Sequence, residues 1–568
     1  MNDSKNLILA VVLSALVLLG WSWAANKYFP TANPPATKIV NGKREAAPSA
    51  PSAQPASTST PKATQTLSQA LGSGPRVSIR TPTLLGSINL KGAQIDDLQL
   101  LQQKQSIASN SPPVRLLSPL NSPGAYFATF GWTAQNGEVP ALDAVWSADS
   151  NSLTPGHPVT LTTQTADGTH YAIRISVDDG YLFTILESVT NNSNKPRSVR
   201  PIGLVTRATQ SADKSMWTNH VGPIGVFNGK VDYSVNWKDV DEGKPNNFDS
   251  TGWLGFTDKY WLTALVPQDG ASSEFRKAAN GGYQADYASA PMTVGVGQTL
   301  TSNARFFAGV KEKALLDRYE RAGVPLLSYA IDWGWFWFFA RPIFDLLVML
   351  FHTVGNFGLA IICLTLIVRG VMFPIAQKQF QSMAAMRKLQ PKMKAIQERF
   401  KDDKQRQQQE ILKLYQAEKV NPAAGCLPIV LQIPVFYALY KTLVVSVEMR
   451  HQPFIGWIKD LSAPDPLTPV NLFGLLHFTP PTMLAIGVLP LLVGATQWIS
   501  MKLNPQPMDP AQAQMFAIMP WFLVFIMAPF AAGLQLYWIT NNLLTIAQQW
   551  FLYRKFGLHL SDTHPVHT

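Results

Sequence analysis

The chain has 568 residues, of which 46% are hydrophobic and 15% charged, whereas a soluble protein usually carries roughly a quarter of its residues as charges. A mean hydropathy near zero excludes a pure membrane bundle, and two cysteines, Cys363 and Cys426, both in apolar runs, exclude a disulfide framework for the long polar region. The net charge of +11 favours anionic partners, lipid head groups or nucleic acid, without choosing between them.

Residues 7–25 are apolar and follow Lys5. Ser22-Trp23-Ala24 resembles a small-x-small cleavage site, which would make the segment a removable signal peptide. The apolar stretch nevertheless runs on through Trp21 and Trp23 and is long enough to span, which favours an uncleaved anchor over 1–28. On either reading the part that follows is exported. Residues 29–76 are rich in Pro, Ala, Ser, Thr and Gln and read as a flexible tether that cannot bury a core.

Between 77 and 322 the period is two. His170–Val177 alternates as a half-buried strand, Asp178-Asp179-Gly180 supplies a turn and Tyr181–Leu186 returns; Asn228-Gly229 marks another hairpin. With no long amphipathic helix before Lys311–Arg321, the pattern predicts a large β-sandwich. His157, His170 and His220 lack metal-ligand spacing, and Asp178 and Asp179 sit where turns want acids, so no metal site and no catalytic set is expected there. A sugar pocket stays open as an alternative, without residues that point to one.

Residues 323–354 read as a linker and an amphipathic helix. Ile343, Leu346, Leu347, Leu350, Phe351 and Val354 fall at helical spacing behind Trp333, Trp335 and Trp337, which suits a helix lying in the membrane interface; a helix capping the β-core is the alternative. Five apolar spans follow, at 355–376 (with Pro374 expected to end the helix), 422–447, 484–501 and a tight pair within 515–553. The 377–421 loop contains Arg387, Lys388, Lys392, Lys394 and Arg399, so the positive-inside rule makes it cytoplasmic. The β-domain and the 448–483 loop then lie outside, while the 502–514 loop and the 554–568 tail lie inside. Apolar stripes at Leu389, Met393, Ile396 and Phe400 and at Ile411, Leu414 and Tyr415 predict that 377–421 folds as a helical hairpin, either simply solvated or also a partner surface.

Arg369 is the anomaly, a full charge inside the apolar run 359–374. One reading is a snorkelling anchor near the cytoplasmic end. The other is a polar groove: Thr365 is one turn away, Gln432, Thr496 and Gln497 lie in other spans, and Tyr537, Asn541, Thr545 and Gln548 share one side of a helix. The five apolar segments contain no Asp or Glu, so an arriving carboxylate would be a favourable ligand and a proton-coupled pump is disfavoured. No nucleotide-binding glycine loop occurs, and no cofactor is expected.

The stretches LTLIVRGVMFPIA (364–376), MRKLQPKMKAIQERF (386–400), LYQAEKVNPAAGCLPIVLQIPVFYALY (414–440) and GLQLYWITNNLLTIAQQW (533–550) resemble those of the YidC-type membrane protein insertases of Gram-negative bacteria, relatives of the mitochondrial oxidase-assembly and chloroplast Albino insertases. The resemblance covers the whole chain. It implies a polytopic α-helical membrane protein, an N-terminal anchor plus a five-helix core bundle, with a large periplasmic β-sandwich of galactose-mutarotase-like type and a cytoplasmic helical hairpin. It further implies an inner-membrane insertase and chaperone, not an enzyme, with both termini cytoplasmic. Arg369 would be the groove arginine, with Thr365, Gln432 and Tyr537 among the polar lining, and Trp538 stands where the family often has a second tyrosine. Newly made membrane proteins are the implied clients; the Sec translocon, the ribosome and anionic lipids are candidate partners, and DNA is not. The competing classes are a passive channel or transporter and a membrane-anchored carbohydrate enzyme.

Overall fold

The computed structural model describes residues 37–40, 43–46 and 65–555, apart from 214–219, 269, 280, 402, 419–426, 477–485 and 504–509. The expected anchor at 1–28 and the tail from 556 onward lie outside the described residues. The chain divides into two units between Asp332 and Trp333.

In the first unit a nine-stranded and an eleven-stranded sheet make a β-sandwich, antiparallel except where Ser78-Ile79 pairs with Ser152-Leu153. Strand alternation decides which side chains meet inside: Tyr171, Ile173, Ile175 and Val177 are buried along His170–Val177, while His170 and Arg174 are exposed. Phe130 of one sheet meets Phe306 of the other at 6.0 Å, and Trp132 meets Tyr171 at 5.0 Å, so aromatic rings fill the space between the sheets.

Both expected hairpins form. Val177 pairs with Phe183 across a turn in which Asp178 Oδ1 accepts the amides of Gly180 and Leu182. Asn228 and Gly229 both have positive φ, 51° and 71°, as a two-residue hairpin of this hand requires. Two five-residue helices, α1 (Leu67–Leu71) and α2 (Trp237–Asp241), start on capping boxes from Thr66 and Asn236. Helix α3 (Lys313–Arg321) locks onto the first hairpin, since Tyr319 Oη donates to Asp178 Oδ2 at 2.6 Å and accepts the Tyr181 amide at 3.0 Å. The unit runs on past 322: Trp253 Nε1 donates to Pro325 O and the Ser328 amide to Glu320 Oε2, tying the next ten residues to the sandwich rather than leaving them as a linker.

The second unit contains α4 (Trp337–Val354), α5 (Phe357–Arg399), α6 (Lys404–Ala417), α7 (Leu427–Val445), α8 (Val488–Lys502), α9 (Pro510–Met527) and α10 (Ala532–Lys555). Leu347 of α4, Ile361 and Leu364 of α5, Leu439 and Leu443 of α7, Leu489 of α8 and Leu536 of α10 share one apolar core. Helix α4 starts five residues before Pro342, which lies inside it. The expectation that Pro374 ends the first span is not met, because α5 continues through Pro374 and Pro391 to Arg399. Proline removes one helical bond, here the one to the carbonyl of Gly370, an exposed residue, and the helix tolerates the loss. Beyond Pro374, Leu389 and Met393 are buried, and α6 is tied to the end of α5 where Gln407 Nε2 donates to Gln397 O at 3.0 Å.

Among the described residues, α4 and the 357–378 part of α5 are long and apolar enough to cross a membrane. Of α7 and α9, the described side chains cover shorter apolar stretches, Ile433–Val445 and Phe516–Met527. Helix α4, expected to lie in the interface, thus has spanning length. One side nevertheless stays exposed, at Phe339 and Met349, while Ala340, Phe344 and Leu347 are buried.

Candidate polar groove

Helix α5 presents Arg369 to α10. Its Nε donates to Asn541 Oδ1 at 2.8 Å, and one terminal nitrogen donates to Asn541 O at 3.3 Å and to the Thr545 hydroxyl. These acceptors lie one turn apart on α10, so the i, i+4 spacing matches the fork of the guanidinium. Among the described residues all of its hydrogen-bond partners are neutral, and the group is half-buried. Among the described residues no carboxylate therefore offsets the Arg369 charge, and its own helix flanks it with exposed Leu366, Ile367 and Val371.

The other expected lining residues divide. One turn beyond Thr545, Gln548 is half-buried, and its amide nitrogen has no hydrogen-bond partner among the described residues. Trp538 is half-buried, edge-to-face with Phe436 at 5.0 Å between ring centroids, and its Nε1 is 3.4 Å from Gln497 Oε1. Thr365 and Tyr537 are buried in helix packing, 1% and 2% exposed, and the Thr365 hydroxyl donates to Ile361 O of its own helix at 2.6 Å. The side chain of Gln432 lies outside the described residues. The structure thus brings Arg369, Asn541 and Thr545 together, with Gln548 one turn further along α10; Thr365 is buried against its own helix, and Tyr537, although buried, lies within electrostatic reach of Arg369.

Two polar features were passed over in the sequence. Asn542 Nδ2 donates to Thr496 Oγ1 at 3.1 Å, a second polar tie that joins α10 to α8. Lys441 is 1% exposed on α7, its stem close to Gly334, where a β-carbon would come within 2.8 Å of Cε. A lone lysine in the apolar run 433–447 is a signal of the same kind as Arg369.

On the basic pair formed by the end of α5 and α6, Lys392 is exposed and bridges Glu418 at 2.6 Å. Lys394 and Arg399 are exposed, the latter 5.6 Å from the Phe400 ring centroid. The side chains of Arg387 and Lys388 lie outside the described residues. No group of three or more His, Cys, Asp or Glu suited to a metal ion occurs among the described residues. The arrangement around Arg369 offers no nucleophile and base pair; what it offers is a fixed positive charge and neutral hydrogen-bonding groups beside apolar surface.

Residues 349–558 match the family model of the 60Kd inner membrane protein, and residues 76–346 that of the YidC periplasmic domain. The membrane protein insertase YidC of Zymomonas mobilis is 47% identical over 562 residues, covering 98% of this chain and 96% of that one. The insertase of the same name from Bradyrhizobium diazoefficiens is 41% identical over 600 residues, covering 98% and 97%. A crystal structure of an active YidC insertase with its first transmembrane domain resolved is 19% identical, covers 84% of this chain and 94% of that one, and superposes with a TM-score of 0.35.

Proposed function

The chain belongs to the YidC family of membrane protein insertases, and from that premise we propose that it inserts clients through a polar groove centred on Arg369. A short polar or acidic client segment enters from the cytoplasmic side and exchanges partners with Arg369. The client's apolar helix moves along the flanking apolar surface into lipid, driven by removal of about 20 apolar residues from water. The observation that carries this reading is the guanidinium held only by neutral acceptors among the described residues, next to an unpartnered Gln548 amide.

In this reading α5, α7, α8, α9 and α10 cross the inner membrane, both chain ends are cytoplasmic and the β-domain is periplasmic. The positive-inside rule supports that orientation, because the far half of α5 and α6 hold the basic excess. The exposed Lys394 and Arg399, with Arg387 and Lys388, form the surface for anionic lipid or an approaching ribosome, and the protein works alone or beside the Sec translocon, also as a chaperone. Photo-crosslinkers at Trp538 and Gln548 test the groove without removing Arg369. Adducts to a stalled acidic-tailed nascent chain are expected at both; their absence, with adducts from Val371 on the apolar flank, refutes passage through the groove.

A further inference from the structure

Five apolar side chains stand exposed within seven residues of the segment that joins α7 to α8: Val470, Leu472, Phe473, Leu475 and Leu476, with Leu475 76% exposed. Leu472 and Phe473 are both left-handed, with φ of 49° and 59°, a conformation that side chains bearing a β-carbon disfavour. The backbone around them is closed on itself. The Val470 amide donates to Thr468 Oγ1 at 3.2 Å, Phe473 to Thr468 O at 2.9 Å, Leu475 to Leu472 O at 3.2 Å and Leu476 to Asn471 O at 3.0 Å. No charged residue occurs from 467 to 476. Apolar side chains outward, with four of the amides bonded within the loop, is an arrangement that suits a hydrocarbon boundary and that water does not demand.

The position of this knob follows from the segment that leads into it. That segment is strapped across one end of the helical unit. The amides of Ala532 and Gly533, at the start of α10, donate to Ala463 O and Leu461 O at 2.8 and 2.9 Å. At the start of α8 the Val488 amide donates to Leu467 O and the Leu489 amide to Asp465 Oδ2 at 2.7 Å. At the start of α5, Asn356 Nδ2 donates to Phe454 O at 3.2 Å. Residues 469–476 leave the strap directly after Thr468, at the level where these helices begin.

We propose that the 469–476 knob is seated among the lipids of the exported leaflet, where acyl chains cover its five apolar side chains and offset its backbone strain. The proposal rests on the reading of α5, α8 and α10 as membrane spans. Through the strap, the knob fixes the depth at which α8 and α10 start, and α10 carries Asn541 and Thr545.

The test uses the full chain with Cys363→Ser and Cys426→Ser, reconstituted in phosphatidylethanolamine–phosphatidylglycerol vesicles. Nitroxide labels at Phe473→Cys or Leu475→Cys are compared with labels at Val371→Cys on the exposed face of α5 and at Ile107→Cys, which is 57% exposed in the β-unit. Collision with oxygen relative to a water-soluble nickel chelate is expected to be several-fold higher at 473 and 475 than at 107, and close to the value at 371. A water-like ratio at both knob sites with a lipid-like ratio at 371 overturns the knob alone. A water-like ratio at 371 overturns the span reading and the knob with it. Shielding of 473 and 475 from both reagents identifies a protein contact and overturns the lipid assignment.

Discussion

Replacing Arg369 by glutamine removes the charge and the terminal-nitrogen bonds to Asn541 O and Thr545 but keeps one amide able to hydrogen-bond Asn541 Oδ1, so the effect of the charge is read from the difference between acidic and neutral clients. Two unit charges about 4 Å apart attract by roughly 4 kcal/mol at an effective dielectric near 20 and by about 1 kcal/mol in bulk water. A half-buried guanidinium facing a client carboxylate falls between these limits, at about 1.5–3 kcal/mol, or roughly 10–100-fold in insertion rate. The assay is insertion of a single-span client into vesicles, with wild-type and Arg369→Gln protein, and with the client's acidic tail either intact or changed from Asp to Asn. The loss should appear for the acidic client and be at most about threefold for the neutral one, so the coupling sits in the double-mutant cycle. Arg369→Lys, which keeps the charge without the fork that bridges Asn541 and Thr545, is expected to fall between. Equal losses for both clients would make Arg369 a structural residue, and no loss for either would refute electrostatic capture.

Three further outcomes concern the scaffold. Asp465 accepts hydrogen bonds from Trp457 Nε1 and from the amides of Leu467 and Leu489, so Asp465→Ala should destabilise the helical unit by about 2–4 kcal/mol, read as a lower unfolding temperature in detergent. At Gly180 a β-carbon would sit 2.2 Å from the Tyr319 hydroxyl, so Gly180→Ala should cost about 1–3 kcal/mol by displacing α3, whereas Tyr319→Phe, which removes the hydroxyl, should partly rescue it. Glu187 points into the sandwich interior, and burial pushes its pKa well above the ordinary carboxylate range against a weak opposing effect of the Gly131 amide. The folded state then holds a proton that the unfolded state releases above its own pKa of about 4.3, so β-domain stability falls as pH rises from there toward the folded pKa. Hydrogen exchange of residues 182–190 should accelerate from pH 5 to pH 7 beyond its intrinsic pH dependence, and Glu187→Gln should abolish that excess.

What could be read in advance was local in chemistry. Asn228-Gly229 and Asp178–Gly180 carry their turns in two or three residues. Arg369, Asn541 and Thr545 could be found because a charge in an apolar run and an i, i+4 polar pair are both visible without a fold. Thr365 and Tyr537 obey the same periodicity and are nevertheless buried, because periodicity fixes a face of a helix but not which neighbour covers it. Pro374 misled in the same way: the helix-breaking signal is local, and α5 nevertheless runs on through Pro374 and Pro391 to Arg399. Asp465 could not be recognised as the cap of α8, since its acceptor meets an amide 24 residues further on.

The neutrality of the Arg369 partners bears on how a client can leave. An internal carboxylate would leave a buried ion pair for the client to break, and uncovering one member of such a pair costs about 3–5 kcal/mol. Exchanging hydrogen bonds to an asparagine and a threonine for bonds to a client carboxylate replaces interactions of about 1.5–3 kcal/mol with ones of similar size, so capture is close to balanced in both directions. On the proposed reading, a site balanced in this way would release its client as the apolar helix enters lipid. Placing a carboxylate opposite Arg369, by Thr545→Asp, should therefore tighten the α5–α10 contact and slow insertion of acidic clients. If insertion of acidic clients continued at the normal rate in Thr545→Asp, partner exchange at Arg369 would not be a step of the reaction.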